Sequence, residues 1–383
     1  MPAHRPYAPP VHGLLGSVFQ DLGHEVTILT TSLPNGQTGE IREHYATVHY
    51  LPGTKPGRCD TSFWKASAEA FDRLHEERPF DLVFGRGVAT WGFHTLSQFS
   101  RKVPVIAHEG TYPRWLHQLE RRMASLAPIL SPPLALLFSL SKRNYRACLQ
   151  RADLVVCNSP ALASALRRIY WWAPPRTEFA PYGVDLSPWM QVDEHPAPAD
   201  PPRICFVGRL TWDKGALAMV DILARMRRRD VIIEAIGPMA KSVERSIRRA
   251  ATERGVSDRF ITPGPEKNAH LPERLRGATA YIFPSTHPEG LSKSVMEAMA
   301  AALPVVAYRI PGMDTLIDDG VTGWLVPSRD TAAAAEKLDE LLEKPSMARS
   351  MGQAARKRLH NSFAPSTINQ KWESLLGEIR PRS

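Results

Sequence analysis

The sequence predicts an α/β protein built from two Rossmann-like halves, and three observations predict it. The chain has 383 residues, which suits two domains of similar size. Short apolar runs alternate with helical patterns along both halves, as in a doubly wound parallel sheet. Near the middle, Pro196, Pro198, Pro201 and Pro202 crowd into ten residues. Proline removes amide donors and disfavours helix, so 193–202 reads as a linker between domains 1–192 and 203–362.

The second half follows this grammar clearly. Strands are expected at Arg203–Val207, Val231–Ile236, Arg259–Thr262, Ala278–Phe283, Pro304–Ala307 and Gly323–Val326. Helices are expected at Gly215–Arg228, Ala240–Arg254, Leu291–Ala302 and Thr331–Leu342. In the first half, Val26–Thr30, Asp81–Phe84, Val103–Ala107 and Leu154–Cys157 read as strands, with Ser159 as N-cap of a helix starting at Pro160. The stretch Phe363–Ile379 places Ile368, Trp372, Leu375, Leu376 and Ile379 at helical spacing. Ligands of such sheets bind at the carboxyl ends of strands, and two facing domains form a cleft.

Composition bounds the function loosely. Hydrophobic residues make up 43% and charged residues 23%, an ordinary globular balance. The net charge of +9 favours anionic partners, but the basic residues are spread over many helices and no nucleic-acid motif appears. The four cysteines are scattered without zinc spacing, which fits buried thiols in a reducing compartment. No apolar run reaches the ~18 residues of a membrane span and no secretory signal is read. A cytoplasmic protein is expected. Leu126–Leu140 is apolar, broken by Pro128, Pro132 and Pro133, and flanked by basic residues. Docking of 121–146 at the inner face of an anionic membrane is one reading of it; a buried helix pair is the other.

Two segments carry chemistry. Val207-Gly-Arg-Leu-Thr-Trp-Asp-Lys-Gly215 follows the first strand of the second half. Gly208 allows close approach of a ligand, and Arg209 and Lys214 bring two cations suited to phosphate oxygens. Glu289-Gly-Leu-Ser-Lys-Ser-Val-Met-Glu297 follows the strand ending at Phe283. A helix starting near Leu291 turns free N–H groups and positive dipole toward the strand ends, which suits a diphosphate. Glu289 and Glu297 are acceptors suited to sugar hydroxyls.

Together these segments resemble glycosyltransferase family 4, the group 1 glycosyl transferases of GT-B fold, whose pattern is VGR-L-x-x-x-KG followed by E-x7-E. Gly320-Val-Thr-Gly-Trp-Leu-Val326, Gly23-His-Glu-Val-Thr-Ile-Leu-Thr30, Ala152–Ser159 and Pro181–Asp185 also resemble family segments. The resemblance implies a retaining transferase that moves a hexose-type sugar from a UDP- or GDP-linked donor to a hydroxyl of a glycan or lipid-linked acceptor, with no cofactor. It implies that Arg209 and Lys214 grip the diphosphate, Glu289 the sugar and Glu297 the ribose. Gly208, Gly290, Leu291, Ser292 and Lys293 are then donor-binding, with Gly264 and Pro265 near the base. His108 and Glu109 are candidates near the reacting groups, and Gly13 belongs to the acceptor-side first loop. The terminal helix 363–383 crosses back onto the N-terminal domain.

Two departures from the family qualify these expectations. Lys293 stands where the family has other residues. The chain opens with Met-Pro-Ala-His-Arg-Pro-Tyr-Ala-Pro-Pro10, already loop-like, so the first strand of the N-terminal sheet is expected to be missing. A catalytically inactive nucleotide-sugar binder and a GT-B sugar epimerase are therefore the alternatives. No Asp-x-Asp pair occurs in the chain, which fits a metal-independent site.

Overall fold

The structure, a computed structural model of the chain, describes residues 11–110, 112–113, 116, 118–120, 142–171, 173–182, 187–190 and 199–380. The chain forms two compact units, one comprising Pro9–Gly183 with Pro365–Ser383 and the other Val184–Ala364. The expected break at 193–202 is corrected: helix Ser187–Met190 already belongs to the second unit. There it packs against the helix of the E-x7-E segment, whereas 191–198 lie outside the described residues.

The first unit begins with helix α1 (Val11–Asp21) and strands β1 (Thr27–Thr31), β2 (Gly39–Glu43) and β3 (Ala46–Leu51). Helix α2 (Thr61–Glu77) starts on Asp60, whose carboxylate accepts from the Ser62 amide at 3.1 Å. Then come β4 (Val83–Arg86), a 3-10 turn at Gly87–Thr90, α3 (Trp91–Leu96), β5 (Val105–Glu109), α4 (Arg143–Arg151), β6 (Leu154–Cys157), α5 (Pro160–Ile169) and β7 (Thr177–Phe179). Ser159 caps α5 by accepting from Leu162 N at 3.2 Å.

The strands of this unit lie in two sheets. One has order β1-β3-β2, with β1 parallel and β2 antiparallel to β3. The other is parallel, with order β4-β5-β6-β7. Among the described residues no strand joins β1 to β4, and the two sheets share helices instead. Phe71 of α2 and Phe93 of α3 pack with Leu29 from one sheet and with Val83 and Val105 from the other. Three strands went unread: β2 is exposed along its whole length, β3 is bounded by a short turn rather than by a helix, and β7 is only three residues long.

The last helix, Pro365–Gly377, completes the first unit rather than the second. Ile368, Trp372 and Leu375 are fully buried. The Trp372 indole N–H donates to Pro181 O at 2.9 Å, and its ring meets Phe19 and Phe84 edge-on. The apolar spacing of the sequence thus marks the buried stripe of this helix.

The second unit runs α6 (Ser187–Met190), β8 (Arg203–Val207), α7 (Ala216–Arg225), β9 (Ile232–Ile236), α8 (Lys241–Glu253), β10 (Phe260–Gly264), α9 (Leu271–Leu275), β11 (Ala280–Phe283), α10 (Lys293–Ala300), β12 (Val305–Tyr308), α11 (Met313–Leu316), β13 (Gly323–Val326), α12 (Thr331–Glu343) and α13 (Pro345–Phe363). Its sheet is parallel with order β10-β9-β8-β11-β12-β13. Strands β11 and β12 are buried throughout because helices cover both faces. The order reverses between β8 and β11, and this is the crevice where doubly wound sheets receive ligands.

Trp372→Ala removes the largest buried side chain that ties the last helix to the first unit. It is expected to cost about 3–5 kcal/mol, read as a lower urea midpoint; a midpoint within error of wild type would show that the helix is dispensable.

Candidate functional site

Both chemistry-bearing segments fall at the strand-order reversal. The loop Gly208–Lys214 leaves β8 and the loop from Pro284 to Ser292 leaves β11, so adjacent strands deliver them side by side. Three contacts hold the loops together. The Thr286 amide donates to Asp213 O at 2.8 Å, and the hydroxyls of Ser285 and Thr286 each donate to the same oxygen at 3.3 Å. Gly215 has φ +80, and a Cβ there would lie 2.3 Å from Pro284 O, so only glycine allows this approach.

The side chains pair across the crevice. The Lys214 ammonium donates to Glu289 Oε1 and lies 5.2 Å from the Phe283 ring centroid. Burial pushes the Glu289 carboxyl up, and Lys214 and Ser285 oppose that shift. Glu297, 5% exposed, receives the Lys293 ammonium one helical turn away. Its carboxyl is also raised by burial and held down by Lys293. Arg209 is exposed and, among the described residues, has no hydrogen bond or ion pair.

The helix of this site begins at Lys293, two residues later than expected, with Ser292 as N-cap. Leu291 and Ser292 therefore belong to the entering loop. The Ser292 hydroxyl caps none of the helical amides, so N–H groups at this end lack a side-chain acceptor. Gly290 and Leu291 are buried, and Gly264 closes β10 with φ +92, its carbonyl accepting from Gly237 N. Pro265 follows in an exposed loop.

The first unit carries a separate polar group. His108 and Glu109 do not follow β5 as expected; they are its last two residues, because the strand runs two residues further. Both are buried, and neither ring nitrogen of His108 has a hydrogen-bond partner among the described residues. Burial, with the Arg86 cation adding to it, lowers the His108 imidazole to about 3 and keeps it neutral. Burial raises the Glu109 carboxyl to about 8, against the opposing effects of Tyr145 and Arg86. Gly13 lies within α1, not in a loop, because the helical run continues through it. Sequence reading missed Arg86, whose signal was its place between Gly85 and Gly87 at the end of β4. Most of the apolar segment 121–146 and Trp172 lie outside the described residues.

Two outcomes follow. Gly312 has φ +96 and a Cβ there would meet Glu289 O at 2.0 Å. Gly312→Ala is expected to displace the Glu289 loop and cost about 1–3 kcal/mol, read by thermal melting; an unshifted melt would refute the packing. Glu109 stays protonated in the folded state to about pH 8, whereas the unfolded chain ionises above 4.5. The stability it contributes is full below 4.5 and lost as pH rises through 8. Glu109→Gln should flatten the fall of melting temperature over that window, and an unchanged slope would contradict the burial argument.

Comparison with known proteins places the chain. The pattern of Glycosyltransferase Family 4 matches residues 14–188, and that of Glycosyl transferases group 1 matches residues 189–358. A D-inositol 3-phosphate glycosyltransferase of Saccharomonospora viridis is 32% identical over 222 residues, 54% of this chain and 51% of the relative. A putative colanic acid biosynthesis glycosyltransferase, WcaL of Escherichia coli, is 29% identical over 247 residues, 61% of this chain and 58% of the relative. The chain thus spans about half the length of these curated relatives. Among solved structures, sucrose-phosphate synthase from Thermosynechococcus elongatus superposes with TM-score 0.74 at 21% identity, covering 96% of this chain and 92% of that one. HepE of Anabaena, in complex with UDP and glucose, superposes with TM-score 0.71 at 18% identity, covering 98% of both. These likenesses show a GT-B fold. With both halves matched and the fold shared, the chain belongs to the group 1 glycosyl transferases, glycosyltransferase family 4.

Proposed function

We propose that the protein is a retaining, metal-independent glycosyltransferase that moves a hexose-type sugar from a UDP- or GDP-sugar to an acceptor hydroxyl on a glycan or lipid-linked glycan. One observation carries the reading: the two cationic and acidic loops are delivered side by side at the strand-order reversal, with Lys214 paired to Glu289. The amides of α10 that the Ser292 hydroxyl leaves uncapped, and Arg209, unpaired among the described residues, supply the positive field that a diphosphate needs. That HepE of Anabaena holds UDP and glucose on the same fold supports a nucleotide-sugar donor here.

In this reading Arg209 and Lys214 bind the diphosphate and stabilise the charge that builds as the bond from the anomeric carbon to phosphate oxygen breaks. Glu289 receives sugar hydroxyls, and Glu297 the ribose. Gly208, Gly290, Leu291, Ser292 and Lys293 line the phosphates, and Gly264 and Pro265 border the base. The acceptor oxygen attacks the anomeric carbon from the face the diphosphate leaves, and its proton passes to the departing phosphate. His108, held neutral, orients the reacting hydroxyl. The relatives are named for D-inositol 3-phosphate and for colanic acid biosynthesis, so their names point to different acceptors. Among the described residues no helix is long and apolar enough to cross a membrane. We place the reaction in the cytoplasm, with 121–146 meeting the membrane face when the acceptor is lipid-linked.

Nucleotide release from a panel of UDP-, GDP- and ADP-sugars tests this reading. One donor is expected to be turned over, with Arg209→Ala and Glu289→Ala each lowering the rate by about 10²–10³. Nucleotide binding without release from any donor would favour an inactive binder, and equal rates in both variants would remove these residues from the site.

A further inference from the structure

The first unit holds a cation that no described residue pairs with. Arg86 ends β4, is exposed, and has no hydrogen bond or ion pair among the described residues. On the neighbouring strand, His108 stands in direct register with it, so the two side chains leave the same face of the sheet. They converge on Gly110. A Cβ there would lie 3.0 Å from the Arg86 guanidinium and 3.1 Å from the His108 ring, so the missing side chain is what lets them come together. His108 is 1% exposed, yet both its ring nitrogens lack a hydrogen-bond partner among the described residues. Burying such a group unsatisfied costs about 1–3 kcal/mol, so the site is built for a ligand that supplies the partner.

The chemistry of that ligand follows from charge. Among the titratable groups that feel Arg86 are His108, Glu109 and Cys59. Glu109 lies beyond ion-pair distance, and its buried carboxyl is protonated near neutral pH. Among the described residues nothing neutralises the guanidinium, whose planar fork matches an oxyanion. A neutral sugar would leave that positive charge without a counter-ion.

We propose that Arg86, with His108 beside it, binds an anionic group, phosphate or carboxylate, on the acceptor substrate. The proposal rests on the transferase reading above for its use in catalysis, but the anion site can be tested separately from the donor site.

Isothermal titration of the full chain with glycerol 3-phosphate, glucuronate and glycerol, at saturating UDP to fill the donor site, reads it directly. At least one anion is expected to bind, and glycerol is not. Arg86→Ala should weaken that binding by about 10- to 100-fold, and Arg86→Lys should retain part of it. The tighter of the two anions names the source. Melting of Arg86→Ala at the wild-type temperature checks that the variant is folded. No anion binding at millimolar concentration, equal binding to wild type and Arg86→Ala, or equal binding of glycerol would each overturn the site. Should UDP itself not bind, the donor reading fails on its own. The same titrations in an Arg209→Ala, Lys214→Ala background then judge Arg86 alone.

Discussion

The adjacency of β8 and β11 is the constraint on which the second unit depends. Parallel strands that neighbour one another in space but not in sequence force the chain to reverse its direction of winding between them. Helices leave on opposite sides there, and the loops above the two strand ends are left with no helix between them. Asp213 O then gathers one amide and two hydroxyls from the opposite loop. That shared acceptor fixes the spacing of Lys214 and Glu289, and Gly215 against Pro284 O removes the remaining slack.

The same geometry explains why the charges are paired. Glu289 and Glu297 are carboxylates largely withdrawn from water, and each is kept ionisable by one lysine. A buried pair of this kind adds little net stability, whereas removing one partner strands the other. Such pairs make sense where a ligand takes over one half of the interaction. Lys293 occupies the first position of α10, where the helix dipole disfavours a cation, and Glu297 one turn on compensates for it.

Legibility in the sequence tracked how local each signal was. In the second unit, β8, β12 and β13 were readable to within a residue, because buried parallel strands are short apolar runs bounded by glycine and proline. The site loops were readable because Gly208, Arg209, Lys214, Glu289 and Glu297 occupy fixed offsets after such strands. His108 and Glu109 were picked out but set beyond β5, since polar residues at a strand end look like loop. Helix α13 was missed because alanines, arginines and a glycine blur its apolar stripe. Arg86 was invisible for a different reason: its partner across the strands, His108, lies twenty-two residues away and only register brings them together. The domain break was misplaced because proline density marks where helix is impossible, not where packing changes sides.

The divided sheet of the first unit has a dynamic consequence. A continuous parallel sheet shares its backbone ladder across every strand, so opening one part strains the rest. Among the described residues β1-β3-β2 and β4-β5-β6-β7 share no ladder and are coupled by side chains of α2 and α3. The two sheets can then behave as separate cooperative units with unequal free energies of local unfolding. The smaller one, with β2 exposed along its length, is the weaker. Amide hydrogens of β1 and β3 should then exchange through openings that leave β5 and β6 closed.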